Sequence, residues 1–385
     1  MVEIKARNSN ESTSPFLECV ICKKQFTIDR TDYFCPNCVN EHLGYYGNMQ
    51  VSYNYRALNR VPFPIEPFAI FEGNTPLIQG RGLSEHYGFS NVYYKCEMVN
   101  PTGSFKDRGS AFIIAQALKL GMKNIIAASS GNLATSLAAY SLKAGLNLHI
   151  FVPKNTSPEK LELIRLLKAN VVYVDGKFED AYYASLKFMN AEGFYSAHAG
   201  SNPFALEGYK NISLEIFNKI GVPDYVIVPA GDGALLSAIW KGFMELRAVG
   251  LAERTPRMIA VQVKGADPIV TAYHRNLLKY VEKNPVDSIA EGIVASESYN
   301  SILAVKALRE SGGFPVSVTD EEIKRNLGYA VREGLIIEPT SAASLAALEK
   351  LKEDGRVGRE ETIVPMLTGS GIKTLSEISK VLNVD

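Results

Sequence analysis

The stretch NIIAASSGNLATSLAAYSLKAGLNLHIFVP, residues 124–153, decides the fold class. It begins with a short apolar run, continues with an alanine-rich segment whose apolar residues recur every three to four positions, and ends with a second apolar run. This pattern is typical of a strand, a helix and a second strand. Strands joined through a helix run parallel, and helices then cover both faces of their sheet. The stretch therefore predicts an α/β protein.

The same alternation extends from Asn91 nearly to the end of the chain. Runs rich in β-branched and aromatic residues end at Gly, Pro, Ser or Asp, and segments with helical spacing separate them. Besides the two in residues 124–153, the runs are NVYYKC, NVVYVDG, YVIVPAG, MIAVQVKG and TIVPMLTG. Upstream, the prolines of NRVPFPIEPF predict a stiff linker with a boundary near residue 65. Thr319 and Glu322 predict a capping box at the start of a late helix.

Composition limits the possible partners. The 385 residues exceed the size at which a single core stops growing, so at least two domains are expected. The 41 basic residues balance the 41 acidic ones, which leaves no field to attract nucleic acid or an anionic membrane. No apolar run reaches the ~20 residues that a membrane span requires, and the polar start lacks the centre of a secretory signal. We expect a soluble cytoplasmic protein that acts on a small metabolite.

Four of the five cysteines form two pairs. Cys19 and Cys22, then Cys35 and Cys38, each have two residues between them, and twelve residues separate the pairs. This spacing is typical of a zinc ribbon, in which two turns direct four thiolates at one tetrahedral ion. With no open coordination position, such a zinc would be structural. A ribbon that has lost its metal and two disulfides are the alternatives. Cys96 is expected to be a buried strand residue.

Lys106 is the first candidate for chemistry. Parallel sheets bind ligands beyond the carboxyl ends of their strands, so the residues that follow each run are informative. Lys106 follows the first of these runs, in the turn NPTGSFKDRGS where a helix is predicted to begin. The positive end of the helix dipole and partial burial would lower the pKa of this amine and allow it to form a Schiff base. A surface lysine at a helix start is the alternative.

Three further turns could bind parts of one ligand. The N–H groups and hydroxyls of Ser129–Asn132 suit a carboxylate, and Gly231–Leu235 offers glycines and a helix start to a phosphate. Thr368, after the last strand, offers a neutral hydroxyl to a ring nitrogen that carries no proton. Each could instead be an ordinary turn, and the sequence contains no complete dinucleotide fingerprint or Walker loop. Together with Lys106 they fit pyridoxal phosphate that carries an amino acid.

Several motifs also carry a resemblance to a known family. Between about residues 66 and 375 the chain contains, in order, EGNTPL, NPTGSFKDRG, ASSGN, NPFALEG, EPTSAAS and TGSGIK. In these motifs it resembles the threonine synthase family of fold-type-II pyridoxal-phosphate enzymes, and its paired cysteines are similar to those of some members. The resemblance implies pyridoxal 5'-phosphate as cofactor, a small amino acid as substrate and a homodimer.

The resemblance also implies a domain organisation. Two parallel-sheet domains of three layers each would follow a small zinc-ribbon-like element. The expected divisions are residues 1–60 for the N-terminal element, 66–95 with 205–385 for a large cofactor-binding domain, and 96–204 for a smaller domain that carries the Schiff-base lysine.

Individual residues receive roles from the same resemblance. Lys106 would be the catalytic lysine that forms the Schiff base. Asn132 would hydrogen-bond the phenolic oxygen of the cofactor, and Thr368 would face its pyridine nitrogen. Two sets of residues would hold the anions. The substrate carboxylate would be bound by Ser129, Ser130 and Gly131, together with Asn132. The cofactor phosphate would be bound by Gly231, Asp232, Gly233, Ala234 and Leu235.

Some positions depart from the family pattern. The Asn, Ser and Arg with which threonine synthases grip the phosphate of O-phosphohomoserine correspond here to Ala199, Gly200 and Ala205, which removes a bidentate cationic contact. Asp232 would also place negative charge near the cofactor phosphate. Threonine synthase is the first expectation, with a serine or threonine ammonia-lyase and a β-replacement enzyme acting on a serine derivative as alternatives. A non-catalytic zinc-ribbon binding protein is the alternative of another class.

Overall fold

The computed structural model describes residues 14–39, 47–278, 286–294 and 298–383. The strands within these residues are β1 (Phe16–Cys19), β2 (Gln25–Phe26), β3 (Met49–Ser52), β4 (Leu77–Gln79), β5 (Asn91–Cys96), β6 (Asn124–Ala128), β7 (Asn147–Pro153), β8 (Asn170–Val174), β9 (Tyr195–Ser196), β10 (Tyr225–Pro229), β11 (Arg257–Val263), β12 (Phe314–Val318) and β13 (Thr362–Leu367). The α-helices are α1 (Arg81–Tyr87), α2 (Lys106–Lys119), α3 (Asn132–Ala144), α4 (Pro158–Leu166), α5 (Phe178–Glu192), α6 (Pro203–Tyr209), α7 (Asn211–Ile220), α8 (Ala234–Ala248), α9 (Pro268–His274), α10 (Ser301–Glu310), α11 (Asp320–Arg332), α12 (Pro339–Asp354) and α13 (Leu375–Leu382).

Two parallel sheets form the main body. The larger has the order β12-β11-β10-β13-β5-β4, and only its edge strand β4 runs antiparallel to its neighbour. The smaller has the order β8-β7-β6-β9 and is parallel throughout. The larger sheet thus combines strands from both ends of the main body, and the smaller one lies between them in the sequence. The domain divisions at residues 60, 66, 95 and 205 stay a prediction.

Each sheet lies between two hydrophobic layers. Along β10, Val226 and Val228 join one cluster of buried residues, while Tyr225 and Ile227 join another. Along β6, Ile125 and Ala127 likewise belong to a different cluster from Ile126 and Ala128. Because successive side chains of a strand point to opposite faces, both faces of each sheet are covered. The predicted α/β fold with parallel three-layer sheets is confirmed.

All seven predicted apolar runs are strands of these sheets, and Cys96 is buried at the end of β5. The capping box is also present, since Thr319 N donates to Glu322 Oε2 over 2.7 Å and Glu322 N donates to Thr319 Oγ1 over 3.3 Å. The sequence analysis did not predict β4, β9 or β12. These strands have three, two and five residues and lie at sheet edges, where little periodicity develops.

The N-terminal element is an antiparallel sheet of order β2-β1-β3 that packs onto the main body. Its residues Leu17, Met49 and Val51 belong to the same hydrophobic cluster as α2 and α3. Tyr33 Oη lies 2.8 Å from Tyr195 Oη of β9, and both side chains are buried. The N-terminal element therefore shares a hydrophobic cluster with the main body. Among the described residues, no helix has the length and apolar character needed to span a bilayer.

Candidate active site

The turn before α2 is held by the segment that follows β13. Phe105 N donates to Thr368 O over 3.1 Å, and Ser370 N donates to Gly103 O over 2.8 Å. Ser104 and Gly369 form an antiparallel bridge between the same segments. Strands β5 and β13 are neighbours in the sheet, so their carboxyl ends bring these two turns together. Lys106 and Thr368, which lie far apart in the sequence, thus share one site.

The Lys106 amine is partly buried and lies among aromatic rings. Its Nζ is 4.5 Å from the ring centre of Phe105 and 5.8 Å from that of Tyr209. Burial lowers the pKa of Lys106, and the carboxylate of Asp232 opposes that shift. Lys106 forms no hydrogen bond or ion pair with any residue that the structure describes. An amine in this position gains a larger neutral, nucleophilic fraction than an exposed lysine.

The loop after β10 approaches Lys106 through Asp232. One carboxylate oxygen of Asp232, Oδ1, accepts a hydrogen bond of 3.1 Å from Ala234 N at the start of α8. The other, Oδ2, accepts one of 3.0 Å from Asn300 Nδ2. Both oxygens of the carboxylate therefore accept hydrogen bonds from the protein, which partly compensates its negative charge. The remaining N–H groups of the first turn of α8 have no partner within the helix and can bind an anion.

The Ser129–Asn132 turn begins α3, as predicted. Ser129 Oγ accepts a hydrogen bond of 3.3 Å from Gly131 N, and a Cβ added to Gly131 would meet open space. Asn132 Nδ2 donates to both carboxylate oxygens of Glu338, over 2.9 and 3.1 Å. The amine of Lys373 donates to Asn132 Oδ1 and lies 3.6 Å from Glu338. The Asn132 amide is thus held between an acid and an amine.

Thr368 is buried and belongs to a hydroxyl network. Its Oγ1 lies 3.1 Å from Ser341 Oγ, and Ser341 Oγ accepts a hydrogen bond of 2.9 Å from Gly369 N. Ser341 Oγ also donates to Gly369 O over 3.1 Å. The contact with Ser341 fixes the neutral hydroxyl of Thr368. Its predicted position opposite a ring nitrogen stays a prediction.

The chain was compared with known proteins. Residues 69–369 match the family described as "Pyridoxal-phosphate dependent enzyme". The threonine synthase of Methanosarcina acetivorans is 34% identical, with 93% of this chain and 92% of that protein covered. That of Methanocaldococcus jannaschii is 35% identical, with 92% of both chains covered. The chain belongs to the family of pyridoxal-phosphate dependent enzymes.

Solved structures show the same fold. Threonine deaminase isoform 2 from Solanum lycopersicum is similar with a TM-score of 0.70 at 23% identity, covering 80% of this chain and 87% of that one. The L-serine ammonia-lyase from Rhizomucor miehei also gives 0.70, at 20% identity, covering 81% of this chain and 98% of that one. The predicted resemblance to fold-type-II enzymes and the expectation of pyridoxal phosphate as cofactor are confirmed.

The residues around Lys106 fit this cofactor. Among the described residues, Ser104 Oγ and Tyr209 Oη are buried and have no hydrogen-bond partner. Buried polar atoms almost always have partners, so two unpaired hydroxyls beside one amine indicate a place for a polar ligand. An amine, free hydroxyls and a helix N-terminus supply the donors that an aldehyde, a ring and a phosphate require.

The sequence analysis missed several residues of the site. Glu338 and Lys373 lie in the quoted motifs EPTSAAS and TGSGIK but received no role. Burial raises the pKa of Glu338 and lowers that of Lys373. The sequence analysis also gave no role to Tyr209, whose ring centre lies 4.9 Å from that of Phe105. The motifs gave a signal for the first two, whereas nothing local indicated that Asn300 would bind Asp232.

The four paired cysteines form one cluster in the N-terminal element. Their sulfur atoms all lie within 4.8 Å of one another, and Cys22 Sγ is 3.7 Å from Cys35 Sγ. A tetrahedral ion with zinc–sulfur bonds of about 2.3 Å places its sulfurs roughly 3.8 Å apart. None of the four is in a disulfide. The geometry of Cys19, Cys22, Cys35 and Cys38 therefore fits a four-thiolate metal site.

Proposed function

We propose that this chain is a threonine synthase, a lyase that converts O-phospho-L-homoserine and water to L-threonine and phosphate. The observation that carries this proposal is the identity of 34–35% to threonine synthases over more than nine-tenths of the chain. The site around Lys106 is consistent with it. We further propose that the enzyme acts in the cytoplasm as a homodimer and takes neither nucleic acid nor a membrane as partner.

In this proposal Lys106 binds the cofactor and moves protons. Pyridoxal phosphate, when bound, supplies an electron-withdrawing ring that makes the α-proton of an amino acid acidic. The lowered pKa of Lys106 leaves part of its amine neutral, so it can remove that proton. The aromatic rings of Phe105 and Tyr209 limit the access of water to the amine. The overall reaction would also require loss of one Cβ proton as phosphate leaves from Cγ, protonation of Cγ, addition of water at Cβ and return of a proton to Cα. Lys106 would be the amine that carries protons to and from these carbons.

The other predicted residues would orient the two ligands. Ser129, Ser130 and Gly131 would bind the substrate carboxylate at the start of α3. Asn132, held by Glu338 and Lys373, would face the phenolic oxygen. Thr368 would meet the pyridine nitrogen without giving it a proton. The loop Gly231, Asp232, Gly233, Ala234 and Leu235 would hold the cofactor phosphate through backbone N–H groups.

One observation favours a second candidate, a serine or threonine ammonia-lyase or a β-replacement enzyme. Ala199 and Gly200 precede α6 and Ala205 lies within it, at the positions that the resemblance connects with the substrate phosphate, and none of the three carries a charge. A Cβ added to Gly200 would lie 2.8 Å from Asp232 Oδ2, so this part of the loop faces a carboxylate instead of a cation. A negative group disfavours a phosphorylated side chain and accepts a neutral one.

Product analysis separates the candidates. The holoenzyme is incubated separately with O-phospho-L-homoserine, L-serine, L-threonine and O-acetyl-L-serine with sulfide. Threonine and phosphate in equal amounts from the first substrate would support the proposal. Pyruvate or 2-oxobutyrate from serine or threonine, or cysteine from the last mixture, without phosphate release from the first, would replace it by the second candidate.

We also propose that Cys19, Cys22, Cys35 and Cys38 bind a structural zinc ion. Four thiolates leave no open position, so the ion would stabilise the N-terminal element and take no part in the reaction. Elemental analysis of the purified full chain should find about one zinc per chain. The double variant Cys35→Ser/Cys38→Ser should lose it, while Cys96→Ser, which alters the cysteine outside the cluster, should keep it.

A further inference from the structure

The backbone next to and at Asn48 is hydrogen-bonded to both turns that carry the paired cysteines. Val20 N donates to Asn48 O over 3.0 Å, and Cys35 N donates to the neighbouring Gly47 O over 2.8 Å. Gly47 has a φ of +55°, and a Cβ there would lie 3.0 Å from the backbone of Cys38. The backbone of residues 47 and 48 is thus fixed by both turns of the cluster.

The side chain of Asn48 points away from the cluster and into the main body. It is 4% exposed, and its Nδ2 donates to Tyr299 O over 2.8 Å and to Gly200 O over 3.4 Å. Its Oδ1 is buried without a hydrogen-bond partner among the described residues. Two carbonyl acceptors fix the orientation of the amide, because the reversed amide would place oxygen against oxygen. Asn48 therefore acts as a donor to two backbone segments of the main body.

These two segments lead directly to the loop after β10. Gly200 O accepts a second hydrogen bond of 2.7 Å from Asn300 Nδ2. The same nitrogen donates to Asp232 Oδ2, and Asn300 N donates to Asp232 O over 3.2 Å. A continuous set of hydrogen bonds thus joins the cysteine cluster to Asp232. The carboxylate of Asp232 opposes the lowering of the Lys106 pKa by burial.

We propose that Asn48 is a positioning residue of the active site, through which the metal-bound cysteine cluster fixes the Asp232 loop against the cofactor. It touches no reacting atom. The proposal rests on the assignment of the Gly231–Leu235 loop to the cofactor phosphate under the proposed function. The N-terminal element is then part of the catalytic apparatus, although it contributes no chemical group to the reaction.

Substitutions of Asn48 test the proposal through cofactor affinity. Asn48→Ala removes both donors and should weaken the binding of pyridoxal phosphate to the full chain about fivefold, the equivalent of one hydrogen bond. Asn48→Asp keeps the shape but sets a carboxylate against two carbonyls, so its loss should be larger. Gln50→Ala is the matched control, because Gln50 lies two residues further along the chain, in β3, and its amide donates to Glu18 of the neighbouring strand β1 over 3.4 Å.

Affinity is measured by titrating the cofactor-free chain and following the visible absorbance of the bound cofactor. Thermal unfolding and circular dichroism verify that each variant is folded. A folded Asn48→Asp variant with wild-type affinity would overturn the proposal, since packing alone would then explain the position. An equal loss in Gln50→Ala would also overturn it.

Removal of the metal provides the second arm. Chelation of the zinc from the wild-type chain, verified by metal analysis, should lower cofactor affinity, and the same treatment should change Asn48→Ala much less. Non-additivity of this kind indicates that the two perturbations act through one connection. Additive effects would refute the coupling. Cofactor affinity is measured without substrate, so the two proposals can fail separately. An enzyme that binds the cofactor but releases no phosphate from O-phosphohomoserine would refute the proposed function. The inference about Asn48 would still be decided by the cofactor affinities of the Asn48 variants.

Discussion

Two lysines of this protein, the partly buried Lys106 and the fully buried Lys210, occupy contrasting environments. Lys210 is fully buried, and its Nζ lies 2.6 Å from Glu207 Oε2, 2.9 Å from Glu245 Oε2 and 2.6 Å from Pro62 O. Lys241 contacts the same two glutamates, so two positive and two negative groups balance. Lys106 has aromatic rings beside it and no such partner among the described residues.

The difference between their surroundings distinguishes a lysine that stabilises the fold, Lys210, from one that is available for chemistry, Lys106. The Lys210 amine donates to Glu207 and to Pro62 O and also pairs with Glu245, so its capacity for contacts is largely used within the protein. Its network joins the N-terminal element to the main body through Tyr53 and Glu207. An amine without partners is costly to bury and persists only where another requirement maintains it. The sequence shows two similar lysines near helix termini, and only their neighbours distinguish them.

The strongest test of this comparison is Lys106→Ala. Removal of the amine should lower the rate of product formation about 10³-fold or more, because the cofactor attachment and the general base are lost together. The rate is measured with the substrate identified by product analysis. Borohydride reduction of the wild-type holoenzyme, followed by peptide mass spectrometry, should place the cofactor on Lys106.

The matched control is Lys119→Ala, at the other end of the same helix. Lys119 is exposed and pairs with Asp29 over 3.0 Å. This variant should keep wild-type activity, since exposed ion pairs contribute little. An active Lys106→Ala enzyme, or cofactor found on another lysine, would contradict the assignment of the site.

Lys210→Met tests the other side of the comparison. It leaves two glutamates with only Lys241 to compensate them, so the free energy of unfolding should fall by about 3–5 kcal/mol. Denaturant unfolding of the full chain measures this change. The cofactor absorbance at Lys106 should persist in the fraction that remains folded. A loss of absorbance without a loss of stability would show that Lys210 belongs to the active site.

The fold was predictable because its central strands are continuous apolar runs. YVIVP and NIIAA are buried on both faces, which leaves β-branched and apolar residues at nearly every position. The packing of the N-terminal element was not predictable in the same way. The contact between Tyr33 and Tyr195 joins residues 162 positions apart, and no local pattern encodes it.

The site was predictable only where its residues follow strands. Lys106, Asp232 and Thr368 come after β5, β10 and β13, and adjacent parallel strands place such residues together. Asn300 and Asn48 come from other parts of the chain. Asn300 donates to Asp232 directly, and Asn48 donates to Gly200 O, which also accepts from Asn300. Their role depends on distances in the folded chain, which neither spacing nor composition contains.

Asp232→Asn sharpens the comparison by changing the charge near Lys106. The carboxylate favours the protonated amine, so its removal should lower the pKa of Lys106 below its already depressed value. The acid limb of the pH profile of kcat, which requires the neutral amine, should then move to lower pH. The amide oxygen can accept from Ala234 N or from Asn300 Nδ2 but not from both, because the NH2 group faces a donor at the other position. The loss of one hydrogen bond should lower the rate near neutral pH by about fivefold. An acid limb that moves to higher pH would contradict this arrangement.

Thr368→Val should give the smallest effect. Valine keeps the shape of threonine, but the contact with Ser341 Oγ is lost, and stability should fall by about 1 kcal/mol. Cofactor affinity should fall several-fold if the hydroxyl meets the ring nitrogen. Ser344→Ala is the matched control, because this buried hydroxyl donates to Ser341 O over 2.7 Å and to Met366 O over 3.1 Å, on the helix side of the same network. It should lose similar stability with unchanged affinity, and equal affinities in the two variants would remove Thr368 from the cofactor site.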